Sequence, residues 1–374
     1  MLSRRHVETS LVALFVLECL VIVAIAGRNE FSPLSPPYAA ISLLASLPLV
    51  SVAIRLIKSA GRSFAARHTA QREKILKFGD QSWHLVLHCA FTAAGLYIVS
   101  GTRWLDDAAS LWQADGGVHV RSADDLFRLP SRASLHALYL AQTSVYVATT
   151  VSHVFVEERH NDFLLMLAHH LVTLALIGLS YWFNTLRLGV VVMLLHDASD
   201  IVIDVLKLCN YLGLEGRRHL FAVEATFATN FVTWAYARLY LLPVHVVWRG
   251  VIVAPREVVT APGSPGRAAL VAYAGGDANA LGHAPGYRVP RDVGQGKFDA
   301  LASIMAVPMH DVLLGPYYVA FVALLCALIV MNLAWYAMFW RMLYRLAQGD
   351  TPAESGDAVY EGDGARAIGE RKRR

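Results

Sequence analysis

Runs of about 20 predominantly apolar residues recur along almost the whole chain, and no other feature limits its fold so strongly. A helix needs about that length to cross the hydrocarbon core of a bilayer, where the backbone must satisfy its own hydrogen bonds. Such runs lie at roughly 10–27, 38–57, 81–100, 133–155, 163–183, 186–206, 219–243 and 314–343. They predict an all-α polytopic membrane protein, a bundle of about seven or eight transmembrane helices. Of the 374 residues only 17% are charged, against about 25% in soluble domains. The spans leave no room for a large soluble domain, and a net charge of +4 is too small to point to nucleic acid.

Charge then orients the spans. Residues 58–79 hold Lys58, Arg62, Arg67, Arg72, Lys74 and Lys77 against a single Glu73, which marks a basic cytosolic loop. Alternation puts 101–132 in the lumen, 156–162 and 207–218 in the cytosol, the long connection 244–313 in the lumen and the tail in the cytosol. The first run follows Arg4 and Arg5 and ends Ala24-Ile25-Ala26-Gly27, so it reads as a span or as a cleaved signal peptide. The chain thus divides into membrane segments and a basic loop at 1–76, a membrane domain at 77–345 and a charged, glycine-containing tail at 346–374. The tail ends Glu370-Arg371-Lys372-Arg373-Arg374, either a retrieval signal of the endoplasmic reticulum or an anchor for anionic lipid. Cys19, Cys89, Cys209 and Cys326 form no metal-ligand spacing, and the three inside apolar runs are expected to be small buried hydrophobes.

Ionisable side chains inside spans are costly, so each one asks for a reason. Glu18, His153 and Arg238 are isolated, and His84 with His88 reads as a pair of hydrogen-bonded interface histidines. The fifth and sixth runs differ: Asp162, His169, His170, Thr173, Ser180, Asn184, Arg187, His196, Asp197, Asp200 and Asp204 fall within 43 residues. Asp162, Met166, His169, Thr173 and Ser180 share one helical stripe, and His196, Asp200 and Asp204 share another. His169 lies 15 positions before Asn184 and Asp200 lies 16 after it. An antiparallel hairpin turning at Asn184 would put both about 23 Å from the turn, about 10 Å inside the cytosolic face, and pair them. An interhelical polar clamp needs only one or two polar pairs, whereas this hairpin carries a histidine doublet, a His-Asp pair and two further aspartates.

The motifs HH-x2-T, SY-x2-N-x2-R-x-G and HD-x2-D-x6-K-x3-Y occupy His169, His170, Thr173, Ser180, Tyr181, Asn184, Arg187, Gly189, His196, Asp197, Asp200, Lys207 and Tyr211. In this order and spacing they resemble the Lag motif of the TLC domain in ceramide synthases. Lys77-Phe78 with Trp83 resembles the start of that domain, and Asp162-Phe163-x2-Met166 its lead-in to the histidine doublet. The resemblance implies a helical bundle enclosing a tunnel, in the endoplasmic-reticulum membrane, that moves a fatty acyl group from acyl-CoA to the amine of a sphingoid base. It implies catalytic roles for His169, His170, His196, Asp197 and Asp200. Asp162, Trp83, Thr173, Ser180, Tyr181, Asn184, Arg187, Asp204, Lys207 and Arg238 are candidates for support or substrate binding. Acyl-CoA is then a co-substrate, membrane lipids surround the chain, and no metal or other cofactor is expected. A homo- or hetero-dimer stays open. The loop before Lys77 has no room for the homeobox-like insert of many animal members, and the 70-residue connection before the last span is longer than the family leads one to expect.

The chemistry fits the residue types. Acyl transfer from a thioester to an amine requires the ammonium to lose a proton and the acyl group to be kept from water. A histidine paired with a carboxylate can act as general base or can carry the acyl group itself, and His169 with Asp200 is the expected pair. His170 would then be a second base or oxyanion donor, with His196 and Asp197 on the amine. Three other classes compete, of which a channel or transporter is disfavoured by the absence of broken helices around the cluster. A di-iron hydroxylase needs about eight histidines in spaced boxes, more than the spans hold. A TLC-type lipid-sensing, lipid-transfer or translocon-associated protein has no use for five ionisable groups at one depth.

Overall fold

The computed structural model describes residues 36–112, 133–155, 163–182, 185–254 and 315–350. The first apolar run, Asp162, Asn184, most of the long connection and the tail lie outside the described residues. The long helices are α1 (Pro36–Ala65), α2 (Arg72–Val99), α3 (Ala133–Phe155), α4 (Phe163–Trp182), α5 (Leu186–Tyr211), α6 (Ala222–Trp234) and α7 (Gly315–Ala347). A π-helix, Ala235–Val253, continues α6 without a break. Pro243 lies inside it, and a proline removes one ladder donor and collides with the preceding turn of an α-helix.

Among the described residues three helical segments, Arg72–Val99, Phe163–Tyr181 and Val319–Ala347, are long and apolar enough to cross a membrane by length and composition. Leu186–Tyr211 falls short on charge, since it carries Arg187, Asp197, Asp200, Asp204 and Lys207. Its charges point inward. Arg187, Asp197 and Asp204 are buried, as are His136, Gln142, Arg238 and Asn332 on other helices. Leu56, Tyr97, Leu164, Val330 and Trp340 stand exposed instead. Apolar side chains outward and ionisable ones inward is the arrangement a lipid solvent imposes, and the chain is a multi-pass membrane protein.

Two expectations change here. The basic stretch 58–79 is mostly helical, because α1 runs to Ala65 and α2 begins at Arg72, leaving only 66–71 as the connection. Lys58 and Arg62 both reach Asp80, at 3.2 and 3.1 Å, and Lys77 pairs with Glu73 at 3.0 Å. The two helices can cross this closely because Gly79 has no side chain, since a Cβ there would lie 2.8 Å from the Lys58 carbonyl oxygen. The cysteines also differ from expectation: Cys89 and Cys326 are exposed on the outer surface rather than buried.

The core is assembled around α5. Its longest packing partner is α2, and α6 with the π-helix covers another face. Val190 and Val191 of α5, Leu242 and Val246 of the π-helix, and Leu325 and Leu328 of α7 are nearly inaccessible. The 3-10 turn Ala108–Trp112 closes one end of the bundle against the π-helix. Trp104 is buried there, and its carbonyl accepts a bond from His245 Nε2 at 3.3 Å.

Candidate active site

Two adjoining cavities lie inside the bundle. The larger, of about 990 Å³ counting the space at its open mouth, is the more polar of the two and draws His84 and His88 from α2, Gln142 from α3, Asp200 and Asp204 from α5 and Arg238 from the π-helix. The smaller, of about 460 Å³, is walled mostly by apolar residues, among them Leu176, Val192, Phe321 and Leu328. His169 borders both.

The doublet sits where it does because α4 is apolar on nearly every other face. His170 Nδ1 lies 2.9 Å from Thr150 Oγ1, and that hydroxyl donates to the Tyr146 carbonyl at 2.6 Å. A threonine has one hydroxyl proton, so Thr150 accepts from His170, which fixes the neutral ring as the Nδ1–H tautomer. His169 is different. Its Nδ1 is buried with no hydrogen-bond partner among the described residues. Its ring stacks on His196 at 6.3 Å between centroids and meets Trp335 edge-on at 5.3 Å.

The expected His169–Asp200 pair does not form. The reason lies in the packing: α4 and α5 meet less extensively than α5 and α2, and the polar cavity opens between them. Across the hairpin His169 faces His196, one turn nearer the turn than Asp200. Asp200 is claimed instead by the buried guanidinium of Arg238, which forms an ion pair with Oδ1. Arg238 also donates from Nε to Ser199 Oγ at 2.7 Å, from Nη2 to the His196 carbonyl at 3.1 Å and from Nη1 to Asn332 Oδ1 at 3.3 Å. Its carbon lies 3.9 Å above the Trp234 ring. Arg238, isolated in the sequence, is the centre of this network.

His196 is held from both sides. Nδ1 donates to the Val192 carbonyl at 2.8 Å, so Nε2 carries the lone pair and faces the Asn332 amide at 3.4 Å. Both nitrogens are thus engaged, and the ring lies against His169 on the wall of the apolar cavity. Asp197 accepts from Gln142 Nε2 at 2.7 Å. Asp204 accepts from Gln81 Nε2 and from His88 Nδ1, the latter at 2.7 Å. His88 Nε2 lies 4.0 Å from Asp200 Oδ2, beyond hydrogen-bond reach.

The other candidates divide by position. Lys207 lines the polar cavity, and Thr173 lines the apolar one with its hydroxyl buried and without a partner among the described residues. Ser180 and Tyr181 belong to a knot at the α4–α5 turn. Tyr139 Oη and Ser180 Oγ are 2.7 Å apart, Ser180 donates to the Thr185 carbonyl at 2.9 Å, and His136 Nδ1 meets Tyr181 Oη at 3.0 Å. Arg187 is buried just beyond this knot, and Trp83 is buried on α2 away from both cavities. His84 and His88, expected as interface histidines, line the larger cavity instead. With them come Gln81, Gln142, Tyr146 and Asn332, which no sequence motif marks, although Gln81, His84 and His88 share a spacing of 3 and 4 on one apolar helix. Among the described residues no group of three or more His, Cys, Asp or Glu is placed to hold a metal ion.

The fold and site define a class: a multi-pass helical membrane protein with buried histidines and carboxylates around a two-part cavity. The chain belongs to the TLC domain family, whose model matches residues 77–341. It is 29% identical over 177 residues to ASC1-like protein 3 of Oryza sativa subsp. japonica, a match covering 47% of this chain and 57% of that one. Against ceramide synthase LOH1 of Arabidopsis thaliana the identity is 27%, covering 47% and 53%. Against ceramide synthase hyl-2 of Caenorhabditis elegans it is 29%, covering 48% and 50%. The matched part thus spans between half and three-fifths of the length of these relatives.

Proposed function

We propose that this protein is a ceramide synthase, moving a fatty acyl group from acyl-CoA to the amine of a sphingoid base. The observation that carries this reading is His169, which stands between a polar and an apolar cavity with a buried, unpartnered ring nitrogen. The acyl chain occupies the apolar cavity and the amine and thioester approach from the polar one. His169 takes the proton of the ammonium or carries the acyl group on nitrogen, both within the chemistry of a neutral imidazole. Asp200, oriented by Arg238, and Asp197, held by Gln142, offer oxygens to a cationic amine. His196 and Trp335 keep the His169 ring in place by contact. The relatives named ceramide synthases support the substrate class. The reading places the chain in the endoplasmic-reticulum membrane with its C-terminus in the cytosol and acyl-CoA as co-substrate.

Purified protein given acyl-CoA and sphinganine should release free CoA and form the amide. No amide across a series of chain lengths would overturn the proposal. Intact-mass measurement after acyl-CoA alone separates the two roles of His169, since an acyl adduct marks it as nucleophile and its absence as base.

A further inference from the structure

We infer that Tyr146 is a catalytic residue of this site, donating its phenol proton in a hydrogen bond to the oxyanion that forms when the thioester carbonyl is attacked. This rests on the acyl-transfer reading above and adds a residue to it. Tyr146 and His169 are the two described residues that border both cavities. If the acyl chain lies in the apolar cavity and the CoA head in the polar one, the reacting carbonyl lies at the junction, between these two side chains. No hydrogen bond of the Tyr146 hydroxyl is found among the described residues, while the side chains one turn to either side of it on α3 are each bonded to a residue of the site. Gln142, one turn before it, holds Asp197 at 2.7 Å, and Thr150, one turn after it, holds His170 at 2.9 Å. The Tyr146 ring meets His170 edge-on at 6.1 Å, so the turn that carries it is tied to the doublet. A phenol hydroxyl on a cavity wall without a protein partner is available to donate to a bound acceptor.

The histidines leave that role open. His170 uses its N–H on Thr150, so its other nitrogen is an acceptor in the neutral ring. His196 spends its N–H on the Val192 carbonyl. His169 is occupied as base or nucleophile. The step balances without a further reactant. The attacking nitrogen forms a bond to the carbonyl carbon, and the C=O pair moves to oxygen, where Tyr146 donates to it. On collapse that pair reforms C=O, the C–S bond breaks, and the CoA thiolate takes the proton removed from the amine. If His169 attacks first, the departing thiolate takes the remaining ring proton. The amine then adds to the acyl-imidazole, and a second oxyanion forms at the same place. As C=O reforms, the C–N bond to His169 breaks and the ring takes the amine proton.

The test is steady-state kinetics of Tyr146→Phe in the full-length protein with acyl-CoA and sphinganine. The variant removes one oxygen that bonds to no described residue, so the fold should hold, checked by monodispersity and thermal midpoint. The kcat should fall about 10²- to 10³-fold, the loss found when one oxyanion donor is deleted, with both KM values little changed. Fluorotyrosines at 146 should change kcat in step with phenol acidity, which a packing role would not produce. An active wild type whose Tyr146→Phe variant keeps kcat, or loses only in KM, overturns the assignment and leaves the acyl-transfer reading standing. A wild type that makes no amide overturns both.

Discussion

The two ends of the α4–α5 pair carry similar side chains and use them in opposite ways. At the turn, Ser180, Thr185, Tyr139 and the Leu186 carbonyl bond to one another at 2.7 to 3.2 Å, and Tyr181 is held by His136. Toward the other end His169 Nδ1 and Thr173 Oγ1 are buried with no partner among the described residues. Satisfying a buried polar group gains about 1 kcal/mol, whereas leaving one unmade costs about 1–3. The turn is therefore a place where the chain stabilises itself, and the cavity junction is one where it gives up stability to keep groups available. Membership of one motif does not decide which role a residue plays; its partners do.

Four variants test this contrast. The largest effect is expected for His169→Ala, at the available end: turnover should fall about 10³-fold, within the range for a lost acid–base group, while folding is unaffected. Amide formation followed by mass spectrometry reads it, and a variant that differs only in KM would break the contrast. Next comes Arg238→Met, which strands Asp200 beside the cavity. Loss of one member of a buried ion pair costs about 3–5 kcal/mol, and thermal unfolding in detergent should show it. Arg238→Met combined with Asp200→Asn should recover part of the loss, and a single variant as stable as wild type would remove the clasp from the account.

At the satisfied end, Gly189→Ala should destabilise by about 1–3 kcal/mol through overpacking. Its Cβ would collide with the Tyr139 hydroxyl and lie 2.8 Å from Tyr139 Cζ. Replacing Tyr139 by Leu in the same chain should relieve part of it. The smallest effect is Ser180→Ala, about 1 kcal/mol for the lost bonds, with the chemical step proceeding normally in the folded fraction. A large fall in kcat per folded molecule would move Ser180 from the knot into the reaction.

Much of this was legible in the sequence, because it depends on local rules. Apolar runs of bilayer length gave the helices and their order, and the 3-4-7 spacing gave the faces of α4 and α5 that turn inward. The limits of the helices were less legible. Lys58, Arg62 and Lys77 looked like a loop, yet they are helical because their charges pair with Asp80 and Glu73 along and between helices. The His169–Asp200 pair failed for a different reason: counting from the turn treats two helices as a ladder and ignores what a third helix brings.

The sequence by itself determined that the chain is a helical membrane bundle and that its polar centre lies on α4 and α5. Both follow from the cost of charge and unpaired backbone in lipid, which every such chain must meet. Only the tertiary structure decided that Asp200 pairs with Arg238, that His196 and His170 have their protons committed, and that His169 keeps a free nitrogen. Those outcomes turn on contacts between residues far apart in the chain, some separated by more than a hundred positions, as in Asn332 and His196. Helical spacing carries no information about them.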